Sequence, residues 1–196
     1  HIFRIEYDEL RRATRSFVTA SNAEDPDHEI LYQQTTYGEQ EGEAFNHRGR
    51  VFQVFDSAGI ETNEAYDFKG NLVRSVRRLL VNYREVADWN IGPALETETF
   101  ATEKTYDALN RPIALTMADD SRIQPTYNVT GLLERVEVNL RGADEATVFV
   151  NNIDYDAKGQ RELIEYGNGV STNYTYERET FRLHHLSTLR GNEALQ

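Results

Sequence analysis

Cysteine is absent from this chain of 196 residues, which excludes disulfides, thiol nucleophiles and zinc–thiolate sites together. The compartment stays open, because a cysteine-free chain folds under oxidising and reducing conditions alike. No apolar run approaches the ~18 residues that a membrane-spanning helix needs, no signal peptide is visible, and the opening residue, His1, suggests a piece excised from something longer. Basic residues are scarce: 21 Lys and Arg stand against 33 Asp and Glu, a formal net charge of −12. That balance repels nucleic acid and anionic lipid, so neither nucleic acid nor membrane insertion is expected. Methionine and tryptophan occur once each, whereas there are 11 tyrosines and 9 phenylalanines. Such a composition suits a half-buried pleated surface better than a helical core.

What is plentiful is a repeat. An aromatic, an Asp or Asn, two variable residues and a Gly or Asn recur, often followed by a basic residue and aliphatics. Tyr66-Asp67-Phe68-Lys69-Gly70 and Tyr155-Asp156-Ala157-Lys158-Gly159 show it in full. Tyr106-Asp107-Ala108-Leu109-Asn110 puts Asn in the glycine slot, and Tyr127-Asn128-Val129-Thr130-Gly131 puts Asn in the acid slot. Weaker copies start at Tyr7-Asp8, Phe55-Asp56 and Tyr176-Glu177. Tyrosines 106 and 127 lie 21 residues apart, as do 155 and 176, and 66 and 106 lie two such units apart. The Asp or Asn can accept a backbone bond from two residues on and open a tight turn. The Gly or Asn supplies the positive φ that closes it.

Alternation on either side of these turns predicts strands. Val136, Val138 and Leu140 share one face, against Arg135, Glu137 and Asn139 on the other. From Thr105 the chain reads as a meander: Thr105-Tyr106, Pro112–Met117, Arg122–Tyr127, Leu133–Leu140, Thr147–Tyr155, Arg161–Tyr166, Ser171–Tyr176 and Phe181–Ser187. Met117–Arg122 and Tyr166–Val170 form the return hairpins. Pro125 predicts a bulged or edge-like position. Further strands are expected at Ile2–Glu6 and Glu29–Tyr37. Inserted loops are expected near 21–27 and 83–100, the second with one helical turn.

Candidate reactive groups are few. His184-His185 is the one histidine pair, and strand neighbours point to opposite faces, so they cannot readily share a metal. Asp25, Asp27 and Glu29 alternate suggestively, yet the glycine and terminal glutamate of a calcium loop are missing. Asp119-Asp120 caps a hairpin. Asp67, Asp107 and Asp156 invite comparison with the paired acids of glycoside hydrolysis, but each has a task in its own turn, and the wall would set them in a row. Tyrosine ladders can stack sugars, although cross-strand packing explains them as well. No catalytic, metal or cofactor residue is therefore assigned. The residues singled out are structural: Tyr66, Asp67, Gly70, Tyr106, Asp107, Asn110, Tyr127, Asn128, Gly131, Tyr155, Asp156 and Gly159.

At these units the sequence resembles the Rhs/YD-repeat family. The run Asn152 to Arg161 and the run Tyr166-Gly167-Asn168-Gly169-Val170 are similar to the repeat shells of bacterial insecticidal Tc toxins, in their B/C components, and of related Rhs toxins. The likeness is close from Phe45 onward and looser before it. It implies an all-β fold in which hairpins form an antiparallel meander, a long curved sheet that is part of a spiralling hollow shell. Residues 1–196 would form one repeat-sheet segment. Its implied role is to help encapsulate a C-terminal toxin polypeptide in a secreted bacterial protein. Implied partners are the flanking repeats of a longer chain and that enclosed toxin. The self-cleaving segment of the family has no match here. An alternative role is an extracellular binding module for a glycan or host protein. Cut free of its neighbours, the segment is expected to self-associate through an open strand edge or its apolar face.

Overall fold

The computed structural model describes residues 1–20 and 29–196; the loop expected at 21–27 lies outside the described residues. Strands follow one another in sequence order, each hydrogen-bonded to the next. The chain divides into two compact units, His1–Glu103 and Lys104–Gln196.

The first unit holds β1 (Ile2–Tyr7), β2 (Ala13–Thr19), β3 (Ile30–Tyr37), β4 (Val51–Asp56), β5 (Gly59–Tyr66), β6 (Leu72–Leu79) and the start of β7 (Phe100–Tyr106). The second continues through β8 (Pro112–Thr116), β9 (Arg122–Tyr127), β10 (Leu133–Asn139), β11 (Thr147–Tyr155), β12 (Arg161–Tyr166), β13 (Val170–Tyr176), β14 (Leu183–Arg190) and β15 (Glu193–Ala194). The registered pairs are antiparallel, as in β10 with β11 and β12 with β13. The all-β antiparallel fold expected from the turns is the fold present.

Cross-strand partners decide what is buried. Ile153 faces Ile164, Ile164 faces Thr172 and Thr172 faces Thr188. Because directly opposed residues share a face, this is one continuous row, and the Thr172 and Thr188 hydroxyls lie 3.1 Å apart within it. Ile153, Ile164 and Thr172 are buried, yet no large side chain among the described residues falls below 2 % exposure. The units therefore lean on backbone ladders and turn closure more than on a deep core.

Several boundaries differ from the sequence reading. Leu140 leaves the strand for a 3-10 turn, Leu140–Gly142, in which Arg141 has a φ of +50°. β14 starts at Leu183 rather than Phe181, because the preceding turn is one residue longer. The hairpin Asp56–Gly59 is a two-residue turn and not a copy of the repeat: Asp56 pairs directly with Gly59. β7 begins at Phe100, inside the expected excursion, and no helical turn forms among residues 81–99. Pro125 lies buried within β9 rather than at an edge, beside a register shift in the ladder to β10 between Leu133 and Arg135. Its missing N–H acts on one side only: the ladder to β8 registers at Leu115–Ile123 and Thr116–Arg122 and lapses beyond.

The excursion after β6 is tied down. Leu80 bridges to Leu95, Val81 N–H donates to the Ala94 carbonyl at 3.0 Å, and Glu96 N–H donates to Leu79 at 2.9 Å. Its middle then supplies partners to β3, whose pairing with β4 registers only from Gln34 onward. Trp89 N–H donates to the Leu31 carbonyl at 2.9 Å, and Leu31 N–H donates to Asp88 Oδ1 at 3.2 Å. The Trp89 ring packs edge-on against Phe55 with centroids 5.0 Å apart, and its Nε1–H donates to the Asp56 carbonyl.

A glycine at the β12–β13 hairpin tests this packing. Gly167 donates to the Phe149 carbonyl at 3.1 Å, and a Cβ there would overlap the Val148 carbonyl oxygen. Gly167→Ala is expected to destabilise by more than ~1 kcal/mol. Gly169, at φ +78° with open space around it, should accept Asn at a cost within about 0.5 kcal/mol. Thermal melts of both variants check the contrast; equal losses would contradict it.

Candidate functional site: a ladder of aromatic–acid turns

The repeat turns share one closure. In the turn between β5 and β6, Asp67 Oδ1 accepts the backbone N–H of Lys69 and of Asn71, each at 2.9 Å. The backbone closes around it, Gly70 N–H donating to the Asp67 carbonyl and Asp67 N–H to the Asn71 carbonyl. Asp107 accepts from Leu109 and Arg111 at 2.8 and 3.0 Å. Asn128 accepts from Thr130 and Leu132, both at 3.0 Å. Asp156 accepts from Lys158 and Gln160 at 2.8 and 2.9 Å. The closing residues Gly70, Asn110, Gly131 and Gly159 have φ of +95°, +62°, +85° and +80°.

Two weak copies resolve differently. Asp8 makes the same pair of bonds, to Leu10 and Arg12 at 2.9 Å, and Arg11 takes φ +61° in the glycine slot. That turn is undistorted despite its arginine. In the turn after β13, β-branched Thr180 occupies the slot, and positive φ is costly for such a residue. Phe181 takes it instead, at +59°, and Glu177 N–H reaches on to the Arg182 carbonyl at 2.8 Å.

The carboxylates are electrostatically committed. The Asp8 and Asp107 carboxyls are held below the ordinary 3.8, chiefly by the backbone N–H groups of Arg12 and Arg111. Asp67 is held below it chiefly by the Asn71 side chain, whose amide donates to Oδ2 at 2.8 Å.

The tyrosines do more than pack. Five of them sit at the end of a strand with a hydroxyl that donates to the carbonyl opening the strand before it. Tyr66 reaches Val51 at 2.6 Å, Tyr127 reaches Pro112 at 2.8 Å, Tyr155 reaches Leu133 at 2.7 Å and Tyr176 reaches Arg161 at 2.9 Å. Tyr37, which no repeat unit was assigned to, reaches Ala13 at 3.2 Å. Burial pushes the phenols of Tyr66 and Tyr127 upward, which keeps them protonated donors. Tyr106 ends β7 at the corresponding position. Period-two alternation shows the ring's face but carries no signal for this hydroxyl bond; the recurrence of Tyr rather than Phe does.

Successive turns also brace each other. Arg111 donates to Asp107 Oδ2 at 2.7 Å, its guanidinium lies 4.4 Å from the Tyr127 ring centroid, and it sits against Gly131 of the next turn. Arg12 bonds Asp8 and lies 3.8 Å from the Tyr37 ring in the same way. Further along, Lys158 Nζ lies 2.7 Å from the Phe181 ring centroid, and Gln160 donates to the Phe181 carbonyl at 2.8 Å. Where a basic residue trails the motif, as Arg12 and Arg111 do, it is thus a clip between neighbouring turns.

One cluster escaped the sequence reading. His47 is 4 % exposed, in a long connection that stands where a repeat turn would join β3 to β4. Its Nε2 lies 2.9 Å from the Asn63 carbonyl; a carbonyl only accepts, so Nε2 carries the proton. Phe45, Phe52 and Tyr66 surround the ring at centroid distances of 5.2 to 6.1 Å. Asn63 Nδ2 donates to the Val51 carbonyl and to the Tyr66 hydroxyl. The signal was there in Phe45-Asn46-His47-Arg48-Gly49-Arg50, 21 residues before Tyr66.

The remaining candidates are scattered. Four strands separate the turns of Asp107 and Asp156, roughly 19 Å at ~4.8 Å per strand, beyond the ~5–9.5 Å of a hydrolytic pair. Asp25 and Asp27 lie outside the described residues; Glu29 pairs with Arg4 at 2.6 Å. Asp119 accepts from Ser121 N–H at 3.0 Å. His185 faces Thr175 across β13 and β14. No group of three His, Asp or Glu that could hold a metal occurs among the described residues. On the second unit, Met117, Ile123, Val136, Val138, Leu140 and Phe149 line an open apolar hollow of about 610 Å³. Among the described residues no helix is long and apolar enough to cross a membrane.

No family model matches the chain. Toxin subunit YenC2 of Yersinia entomophaga is 30% identical over 156 residues, and toxin subunit YenC1 of the same organism is 31% identical over 153. Each alignment takes in 75% of this chain but 16% of the relative. The crystal structure of TcdB2-TccC3-Cdc42 superposes with a TM-score of 0.79 at 23% identity, over 99% of this chain and 10% of that one. The resemblance drawn from the tyrosine–aspartate units thus holds in sequence and in fold, and this chain spans a small fraction of proteins of its kind.

Two experiments test the ladder. Tyr155→Phe removes one hydroxyl bond and leaves the Leu133 carbonyl short of a donor, so a loss of about 1 kcal/mol is expected; an unchanged denaturant midpoint would remove the role assigned to the hydroxyl. The second concerns acid. Carboxyls held below their ordinary value contribute fully above about 3.8 and lose that contribution as pH falls through their lowered values. Asn128 makes the same bonds without titrating. A variant with Asp8, Asp67 and Asp107 all replaced by Asn should therefore show a flatter fall of Tm below pH ~3.8 than the parent. Parallel acid limbs would place the sensitivity elsewhere.

Proposed function

We propose that this chain is a wall segment of an Rhs/YD-repeat shell, part of a longer secreted bacterial toxin subunit, and that the shell encloses a C-terminal toxin polypeptide. The observation that carries this reading is the turn ladder. Hydroxyls, carboxylates and trailing cations of the repeat are spent on backbone closure and on the adjacent turn, which is what a wall needs and what a reactive site cannot share. Neighbouring turns also clip to one another, as Arg111 does at Gly131 and Gln160 at Phe181, so such a sheet lengthens by adding units.

Two further facts support it. The curated relatives are named toxin subunits, and this chain matches 16% of their length. β1 exposes Ile2, Phe3 and Ile5, an apolar strip that suits a strand covered within a larger assembly. On this reading the apolar hollow around Val136, Val138 and Phe149 faces the enclosed polypeptide or an adjoining layer.

Protease protection in the parent protein tests the proposal. The expected result is that the C-terminal polypeptide of the intact parent resists trypsin at concentrations that digest the same polypeptide expressed alone. Equal digestion of the two would defeat the shell reading and leave an exposed repeat array.

A further inference from the structure

The stretch 81–99 is the feature of the first unit that the repeat does not explain. Connections of this length without secondary structure are uncommon in compact units, and compact surface loops with their ends held together are frequently functional. This one is closed at its base by the Leu80–Leu95 bridge. Its underside is anchored by buried Ala87 and by Trp89. Its outer side is apolar: Val81, Tyr83, Val86 and Ile91 are 56 %, 74 %, 64 % and 80 % exposed. Exposed apolar groups concentrated in one anchored loop, with nothing in the repeat to require them, mark an interaction surface.

Charge narrows the partner. Four carboxylates, Glu85, Asp88, Glu96 and Glu98, stand against Arg84 alone in this stretch. Asp88 is occupied with the Leu31 and Asn90 N–H groups, and Arg84 lies over Tyr83. Glu85, Glu96 and Glu98 have no cationic partner among the described residues. A loop that exposes apolar side chains and carries carboxylates without cationic partners complements a surface that is apolar and basic. Repetition narrows it further. A contact between two stretches of repeat wall would recur with the repeat, whereas this loop occurs once: the 40 residues from Tyr66 to Tyr106, whose spacing alone suggests two units, hold only the strand pair of one, β6 and β7, with the loop between them. Its complement is therefore a surface that does not repeat.

From this we infer that the 81–99 loop is a docking knob by which the parent shell binds a separate protein subunit through an apolar surface rimmed with Lys and Arg. The inference rests on the shell reading, because it presupposes that the chain works inside a larger assembly. Its test uses the intact parent assembled with the subunits produced alongside it. A photo-reactive benzoylphenylalanine replaces Tyr83 or Ile91, and in control proteins Phe68 or Val129, which are still more exposed on repeat turns. The expected result is cross-linking from 83 and 91 to a Lys- or Arg-bearing peptide of another subunit, with none from 68 or 129. A companion variant, Tyr83→Ser with Ile91→Ser, should weaken assembly at least tenfold by sedimentation while its far-ultraviolet circular dichroism stays unchanged. Cross-links confined to the parent's own repeats, or equal yields at all four positions, would overturn the inference. So would a Ser variant that assembles normally. Trypsin protection of the C-terminal polypeptide in the same preparations reads the shell separately, so a protected polypeptide without subunit cross-links defeats the knob and spares the shell.

Discussion

A side-chain oxygen accepting two backbone N–H groups, two and four residues downstream, is the bond on which the rest of this structure depends. It fixes the number of residues in each repeat turn, and the turn fixes the register of the strands that leave it. Register in turn sets which side chains line up, as in the row Ile153, Ile164, Thr172 and Thr188. Where the closure is altered the effect is visible at once: the longer turn at Glu177 moves the start of β14 to Leu183. A structure with little deep core has few other means of holding register, so the acid slot is occupied by Asp or Asn in the turns that close normally.

The tyrosine hydroxyl adds what a turn alone lacks. Pairing ladders weaken towards strand ends, and there the hydroxyl supplies a donor to the carbonyl that opens the preceding strand. Tyr127 shows the value of the bond, because its hydroxyl reaches the Pro112 carbonyl beyond the point where Pro125 has interrupted the ladder between β8 and β9. Phenylalanine would keep the packing and lose that closure. The trailing arginine then joins acid and aromatic across two turns, with Arg111 touching Asp107, Tyr127 and the space above Gly131.

Much of this was legible in the sequence, and the reasons for the rest are specific. Turn chemistry and period-two alternation are local, so strands from Arg122 to Tyr166 fall where the pattern puts them. Arg11 was misjudged because the preference for glycine at positive φ is a cost of order 1–2 kcal/mol, which the two Asp8 bonds offset. Thr180 was judged more nearly right because β-branching adds to that cost. The Asp56 hairpin misled because the same acid can cap a two-residue turn as readily as a four-residue one. His47 and Trp89 were not placed because their partners, Asn63 and Leu31, lie in other strands. No spacing rule links residues that meet only after the sheet has formed.

The two irregular connections follow from the same logic. In a repeat structure each unit contacts mainly its neighbours, so stability approximates a sum of units and the interfaces between them. A long connection is then tolerated wherever the groups of the missing turn are replaced. The stretch 38–50 does this by keeping Tyr37 at its start and Arg50 at its end, and Tyr37 still bonds the Ala13 carbonyl while Arg50 lies over Tyr66. The stretch 81–99 does it differently, lending Asp88 and Trp89 to the backbone of β3. Both connections have buried anchors, His47 and Ala87, because closing a longer loop costs chain entropy that only added contacts can offset. The first exposes Phe45 alone among its large apolar side chains, whereas the second turns Val81, Tyr83, Val86 and Ile91 outward. That outward surface is not needed for closure, and on the proposed reading it is where the chain does more than build wall.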